Sequence, residues 1–136
     1  MSDSRTILIV DDDTDIRELI QIALEEWGYQ VVSAADGNAG VALALTDRPD
    51  LVILDMMMPR VSGFAVLQRL RQQHRLDVPV IMLSGIESDH QRDYAELLGA
   101  DLFLKKPIRP LELLQSVRRL CPLAAPCDAV AISRDL

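Results

Sequence analysis

Five short apolar runs, four of them closed by a group suited to phosphate chemistry, most constrain what this chain can fold into. Thr6-Ile7-Leu8-Ile9-Val10 runs into Asp11 and Asp12, and Leu51-Val52-Ile53-Leu54 into Asp55. Val80-Ile81-Met82-Leu83 meets Ser84, and Leu102-Phe103-Leu104 meets Lys105, Lys106 and Pro107. Tyr29 to Ala34 supplies the remaining run. Runs this apolar are too greasy to be half-solvated, which argues for parallel strands covered on both faces. If they share one sheet, their carboxyl ends line the edge where open α/β sheets bind ligands. Three carboxylates, a hydroxyl and an ammonium then converge in one crevice.

Helical patterns separate the runs. Ile16, Leu19, Ile20, Ala23, Leu24 and Trp27 recur at three- and four-residue spacing, with Gly28 as a stop. Asp36-Gly37-Asn38 turns into a second helix with a stripe of Val41, Ala42 and Leu45, ended near Asp47 by Pro49. Ser62 and Gly63 open a third, with Val66, Leu67 and Leu70 inward. A fourth, roughly Ser88 to Leu98, begins without an apolar face and is expected to be the most mobile. Pro110 suits the first turn of a fifth, in which Leu113, Leu114, Val117 and Leu120 face inward. After Cys121 the rhythm stops, so residues 1–121 are read as the domain and 122–136 as a tail or linker.

At 136 residues, 49% apolar and 26% charged, the chain fits one globular domain with a real core. No stretch approaches the roughly 20 apolar residues of a membrane span, and no basic-then-apolar leader opens it, so no membrane association and a cytoplasmic location are expected. The net charge of −7, without a lysine/arginine block, disfavours direct nucleic-acid binding by this chain. Cys121 and Cys127 lack the partners of a zinc site and read as reduced thiols. His74 and His90 read as surface histidines. Met56-Met57-Met58 cannot share one face and fills space around a loop. Arg69, Arg71, Arg75, Arg118 and Arg119 read as solvated faces.

Aspartates held together repel one another by about 4 kcal/mol per pair at 4 Å under an effective dielectric near 20, and so call for a cation. Hard oxygen donors in this number suit Mg²⁺, with Mn²⁺ as a substitute, and Asp12 and Asp55 are the chosen side-chain ligands. A carboxylate can also attack phosphorus to give an acyl phosphate. Asp55, closing the central and most apolar run, is the nucleophile candidate. Lys106 and Ser84 would help to stabilise charge on the transferred group. Asp13, beside Thr14, is assigned instead to starting the first helix.

In these residues the chain resembles a response-regulator receiver domain, the phosphoacceptor half of two-component signalling, over about residues 5 to 121. The motifs are Ile7-Leu8-Ile9-Val10-Asp11-Asp12, Asp55-Met56-Met57-Met58-Pro59 with Gly63 following, Leu83-Ser84-Gly85, and Lys106-Pro107. The resemblance implies an α/β, flavodoxin-like, doubly wound five-stranded parallel sheet of order 2-1-3-4-5 with five helices. It implies that Asp55 accepts a phosphoryl group from a sensor histidine kinase or a histidine phosphotransfer protein. Asp11 and Asp12 would hold Mg²⁺, with Asp55 and the backbone carbonyl of Met57 as further ligands. Ser84 takes the switch-hydroxyl position, Lys106 the invariant lysine, Phe103 the aromatic switch, and Lys106-Pro107 the cis peptide. Phosphorylation would then reshape the face of the fourth helix, fifth strand and fifth helix toward an effector protein or output domain, with homodimerisation open.

Two positions depart from the family pattern. Met57 and Ile86 are apolar where many receivers place polar residues that position a hydrolytic water, so slow self-dephosphorylation is expected. Lys105 is also unusual before Lys106 and by alternation points to solvent. Two other functions compete. One is a Mg²⁺-dependent aspartyl-phosphate phosphatase, disfavoured because Met57 stands where the haloacid-dehalogenase family places a second aspartate. The other is a phosphate-independent scaffold, disfavoured because all five site residues are intact.

Overall fold

The computed structural model describes residues 4–85 and 89–123. Strands and helices alternate through them: β1 (Thr6–Val10), α1 (Thr14–Glu26), β2 (Gln30–Ala34), α2 (Gly37–Asp47), β3 (Leu51–Asp55), α3 (Gly63–Gln68), β4 (Val80–Ser84), α4 (Asp89–Leu98), β5 (Leu102–Lys105) and α5 (Pro110–Leu120). The strands form one parallel sheet of order β2-β1-β3-β4-β5, as expected of a flavodoxin-like doubly wound fold. Tyr29 lies just before β2; its ring is buried and its hydroxyl donates to the Cys121 carbonyl at 2.7 Å. Cys127, Ile86 and Ser88 lie outside the described residues.

Strand alternation sorts the core into two layers. Leu8, Val10, Val52, Leu54, Val80 and Met82 face α2, α3 and α4, while Ile7, Ile9, Leu51, Ile53, Ile81 and Leu83 face α1 and α5. All five residues of β3 are buried, which makes it the central strand. Asp13 caps α1, accepting from the N–H groups of Asp15 and Ile16, and Asp36 caps α2 by accepting from Ala39. Of the methionines, Met56 and Met58 are buried and Met57 is exposed.

Several expectations need correcting. Leu19 is exposed, because the inward stripe of α1 runs through Ile20 and Leu24. Ala42 is exposed, whereas Val41 is buried and Leu45 packs half-buried against the core; beside Val41, α2 also buries Gly37, Gly40 and Ala44. A Cβ on Gly40 would come within 2.8 Å of the Val10 side chain, so the helix rides close on β1 where no side chain intervenes. The third helix continues past α3 as a π-helical segment, Arg69–Gln73.

Arg71 is not on a solvated face. Its guanidinium donates to the carbonyls of Leu76 (2.9 Å), Val78 (2.7 Å) and Gly99 (3.1 and 2.8 Å) and to Asp101 Oδ2 (3.1 Å). Its planar fork of donors suits it to a crossing of three chain segments, which a point-like ammonium could not satisfy.

Candidate metal and phosphoryl site

The carboxyl ends of β1, β3, β4 and β5 deliver the polar groups to one edge. Asp11 follows β1 and extends its ladder by donating to the Ala34 carbonyl at 3.2 Å. Its own carbonyl accepts from Arg17 Nη1 at 2.8 Å, and its Oδ1 from the Asp13 N–H at 2.9 Å. The side chain of Asp11 is thereby fixed and wholly buried, whereas Asp12 is exposed. Asp55 ends β3, and its Oδ1 accepts from the Met57 N–H at 3.3 Å.

Gly63 holds the turn after Asp55. Its N–H donates to the Met56 carbonyl at 2.9 Å, and any Cβ there would collide with the Asp55 carbonyl oxygen. A side chain at this position would force the Asp55 strand end to move. Lys106 arrives from β5 through a cis bond to Pro107, with its N–H on the Ser84 carbonyl at 2.7 Å. Lys105, by contrast, is exposed.

Asp11, Asp12 and Asp55 each present a carboxylate oxygen within 4.8 Å of the others. The Lys106 ammonium stands 3.2 Å from Asp11 Oδ2 and 3.4 Å from Asp55 Oδ1. Asp11 Oδ2 is buried, and the ammonium lies close to it without a well-directed hydrogen bond. Burial, then repulsion from Asp11, push the Asp55 carboxyl up to about 6, against the pull of Lys106 and the Met57 N–H. Burial works against the charge on Lys106, but the Asp11 and Asp55 carboxylates prevail and hold it above its ordinary value. An under-neutralised trio with an orphaned buried oxygen fits a small divalent cation of the Mg²⁺ type.

The structure thus brings together Asp11, Asp12, Asp55 and Lys106 and puts Ser84 on the neighbouring strand end, in register with Lys105. Phe103 lies further back on β5, half-buried on the α4 side. The roles of Gly63 and Arg17 in holding the two strand ends were not legible beforehand. The glycine was visible as a motif without a reason, and Arg17 gave no signal on an otherwise ordinary helical turn.

A buried carboxylate pair braced by a lysine thus lies at the ligand-binding edge of a doubly wound α/β domain of strand order 2-1-3-4-5. The chain belongs to the response regulator receiver domain family, whose model matches residues 7–118. It is 46% identical over 115 residues to the DNA-binding dual master transcriptional regulator RpaA of Synechocystis, covering 84% of this chain and 48% of that protein. It is 37% identical over 126 residues to the alkaline phosphatase synthesis transcriptional regulatory protein PhoP of Bacillus subtilis, covering 90% and 52%. The chain therefore spans about half the length of these curated relatives. The Vibrio cholerae chemotaxis protein CheY4 superimposes with a TM-score of 0.82 at 33% identity, covering 86% of this chain and 98% of that one.

Proposed function

We propose that this chain is a phosphorylation-controlled switch in which Asp55 takes a phosphoryl group from the histidine of a sensor kinase or phosphotransfer protein. An Asp55 carboxylate oxygen attacks phosphorus, the phosphorus–nitrogen bond breaks, and the imidazole leaves with that electron pair. The observation that carries this reading is the placement of a buried Asp55 beside Asp11 and Lys106 at the strand edge. Asp11, Asp12, Asp55 and the Met57 carbonyl would hold Mg²⁺, which would supply positive charge to the transferred oxygens. Lys106, already bridging Asp11 and Asp55, would swing its ammonium onto a phosphoryl oxygen, and Ser84 would donate its hydroxyl to another.

The added charge would draw Ser84 inward and let Phe103 turn, altering the face of α4, β5 and α5 toward an effector or output domain. Two relatives named as transcriptional regulators support control of an output of that kind. In this reading the chain makes no direct contact with nucleic acid or membrane. No helix among the described residues is long and apolar enough to cross a membrane.

Acetyl phosphate with Mg²⁺ tests the proposal by intact-mass spectrometry. The expected product is one phosphoryl adduct, lost in Asp55→Asn; an adduct that survives this substitution would place the acceptor elsewhere. Turnover of a generic phosphate ester would favour the phosphatase instead. Met57 offers no polar group to orient a hydrolytic water, so the adduct is expected to persist for minutes or longer. Decay within seconds in purified protein would contradict that.

A further inference from the structure

The C-terminal end and the middle of α4 are held by different kinds of contact. At the C-terminal end the Gly99 carbonyl takes two hydrogen bonds from Arg71, and the Ala100 N–H donates to Ala95, itself fully buried. Nearer the middle of the helix are contacts between rings and with a cation. Tyr94 packs against Phe64 with centroids 5.4 Å apart, and the Arg92 guanidinium carbon lies 5.2 Å from the centre of the Phe103 ring.

We infer that Arg92 is a positioning residue that restrains the switch: its guanidinium, seated over Phe103, holds the ring in the arrangement of the unphosphorylated protein. The inference rests on Phe103 being the switch aromatic and Asp55 the phosphoacceptor. A cation within about 6 Å of a ring centroid is attracted by the negative face of the ring. Turning the ring takes that face away from the guanidinium, so the contact belongs to one state and is lost in the other. A contact present in one state alone raises the cost of leaving it, and by linkage it weakens whatever favours the other state. Arg92 therefore opposes occupation of Asp55 without touching it.

Simple electrostatics predicts the opposite sign. A phosphoryl mimic on Asp55 adds negative charge, so deleting a nearby cation would weaken its binding. The restraint predicts tighter binding.

The chain holds two phenylalanines, Phe64 and Phe103, so fluorophenylalanine labelling yields two ¹⁹F resonances, assigned with Phe64→Leu. The probe is beryllofluoride with Mg²⁺, titrated into wild type, Arg92→Ala, Arg92→Gln and Arg92→Lys. Alanine and glutamine are expected to move the free-state Phe103 line toward its beryllofluoride position and to tighten the midpoint about two- to fivefold. Lysine, which keeps the cation, is expected to restore most of the wild-type behaviour. Unchanged or weaker midpoints in both neutral variants would overturn the restraint. A wild-type Phe103 line that does not respond to beryllofluoride, while Asp55 is demonstrably occupied, would instead overturn the switch reading and the restraint with it.

Discussion

The two edges of the sheet use aspartate in opposite ways. At the amino edge, Asp50 Oδ2 accepts from the Thr6 N–H at 2.8 Å, and Asp101 Oδ2 accepts from the Val80 N–H at 2.8 Å and from Arg71. Each of these carboxylates ties the start of one strand to a neighbouring loop. At the carboxyl edge, Asp11 keeps a buried oxygen without a directed donor, and Asp55 is pushed up to about 6 by burial and by Asp11. The difference teaches that acidic residues at strand ends are not one class. Where backbone donors answer them they fasten the fold, and where they face one another they form a cluster whose repulsion a small cation would relieve.

The sharpest way to break this comparison is at Arg71. Arg71→Ala strips donors from the carbonyls of Leu76, Val78 and Gly99 and leaves Asp101 without its guanidinium. A loss of roughly 3 kcal/mol is expected. That corresponds to a fall in melting temperature of about 10 °C for a domain of this size. If the edges are independent, the Mg²⁺ titration midpoint measured on the folded variant stays at the wild-type value. A shifted midpoint would show that the amino edge helps to set the geometry of the acidic trio.

What could be read from the sequence follows the same division. The strand ends were legible because a run such as Leu51 to Leu54 is buried on both faces and leaves its next residue, Asp55, at the edge. The caps at Asp13 and Asp36 were legible because capping is local. Arg71 was not, since its partner Gly99 lies 28 residues away and no local pattern announces it. The inner face of α2 was legible only in part, at Val41 and Leu45, for a related reason. Periodicity counts side chains, and Gly40 makes its contact with Val10 by having none. Nor did the sequence hint at the π-helical turn around Arg71, or at the left-handed Arg48 that ends α2.

Asp55→Asn probes the other edge and is expected to stabilise. The ordinary carboxyl value is 3.8 and that of folded Asp55 about 6, so the folded state binds the proton more tightly than the unfolded chain. Ionisation of Asp55 therefore costs the native state stability above about pH 6. The cost shrinks as pH falls and is gone below the unfolded value, where both states are protonated. Asparagine removes the charge at every pH. Without Mg²⁺ the variant is expected to melt about 5 °C above wild type at pH 7.5, with the gain fading toward pH 4. A gain that persists unchanged at pH 4, or a loss at pH 7.5, would mean that the carboxyl edge is not electrostatically strained.

The smallest effect is expected where an aspartate of the amino edge meets a cation in solvent. Arg5 Nη1 lies 3.7 Å from Asp50 Oδ1, and both side chains are well exposed, at 42% and 38%. Such a pair is screened and must hold two flexible groups in place, so Arg5→Ala is expected to cost less than about 0.5 kcal/mol. Asp50→Ala also removes the acceptor for the Thr6 N–H at the start of β1, and should cost about 1 kcal/mol more. Thermal melts of the two single variants and the double variant separate these contributions. If Arg5→Ala proved as damaging as Asp50→Ala, the ion pair rather than the backbone donor would be what fastens this end of the sheet. The contrast between answered and unanswered carboxylates would then have to be redrawn in terms of charge alone.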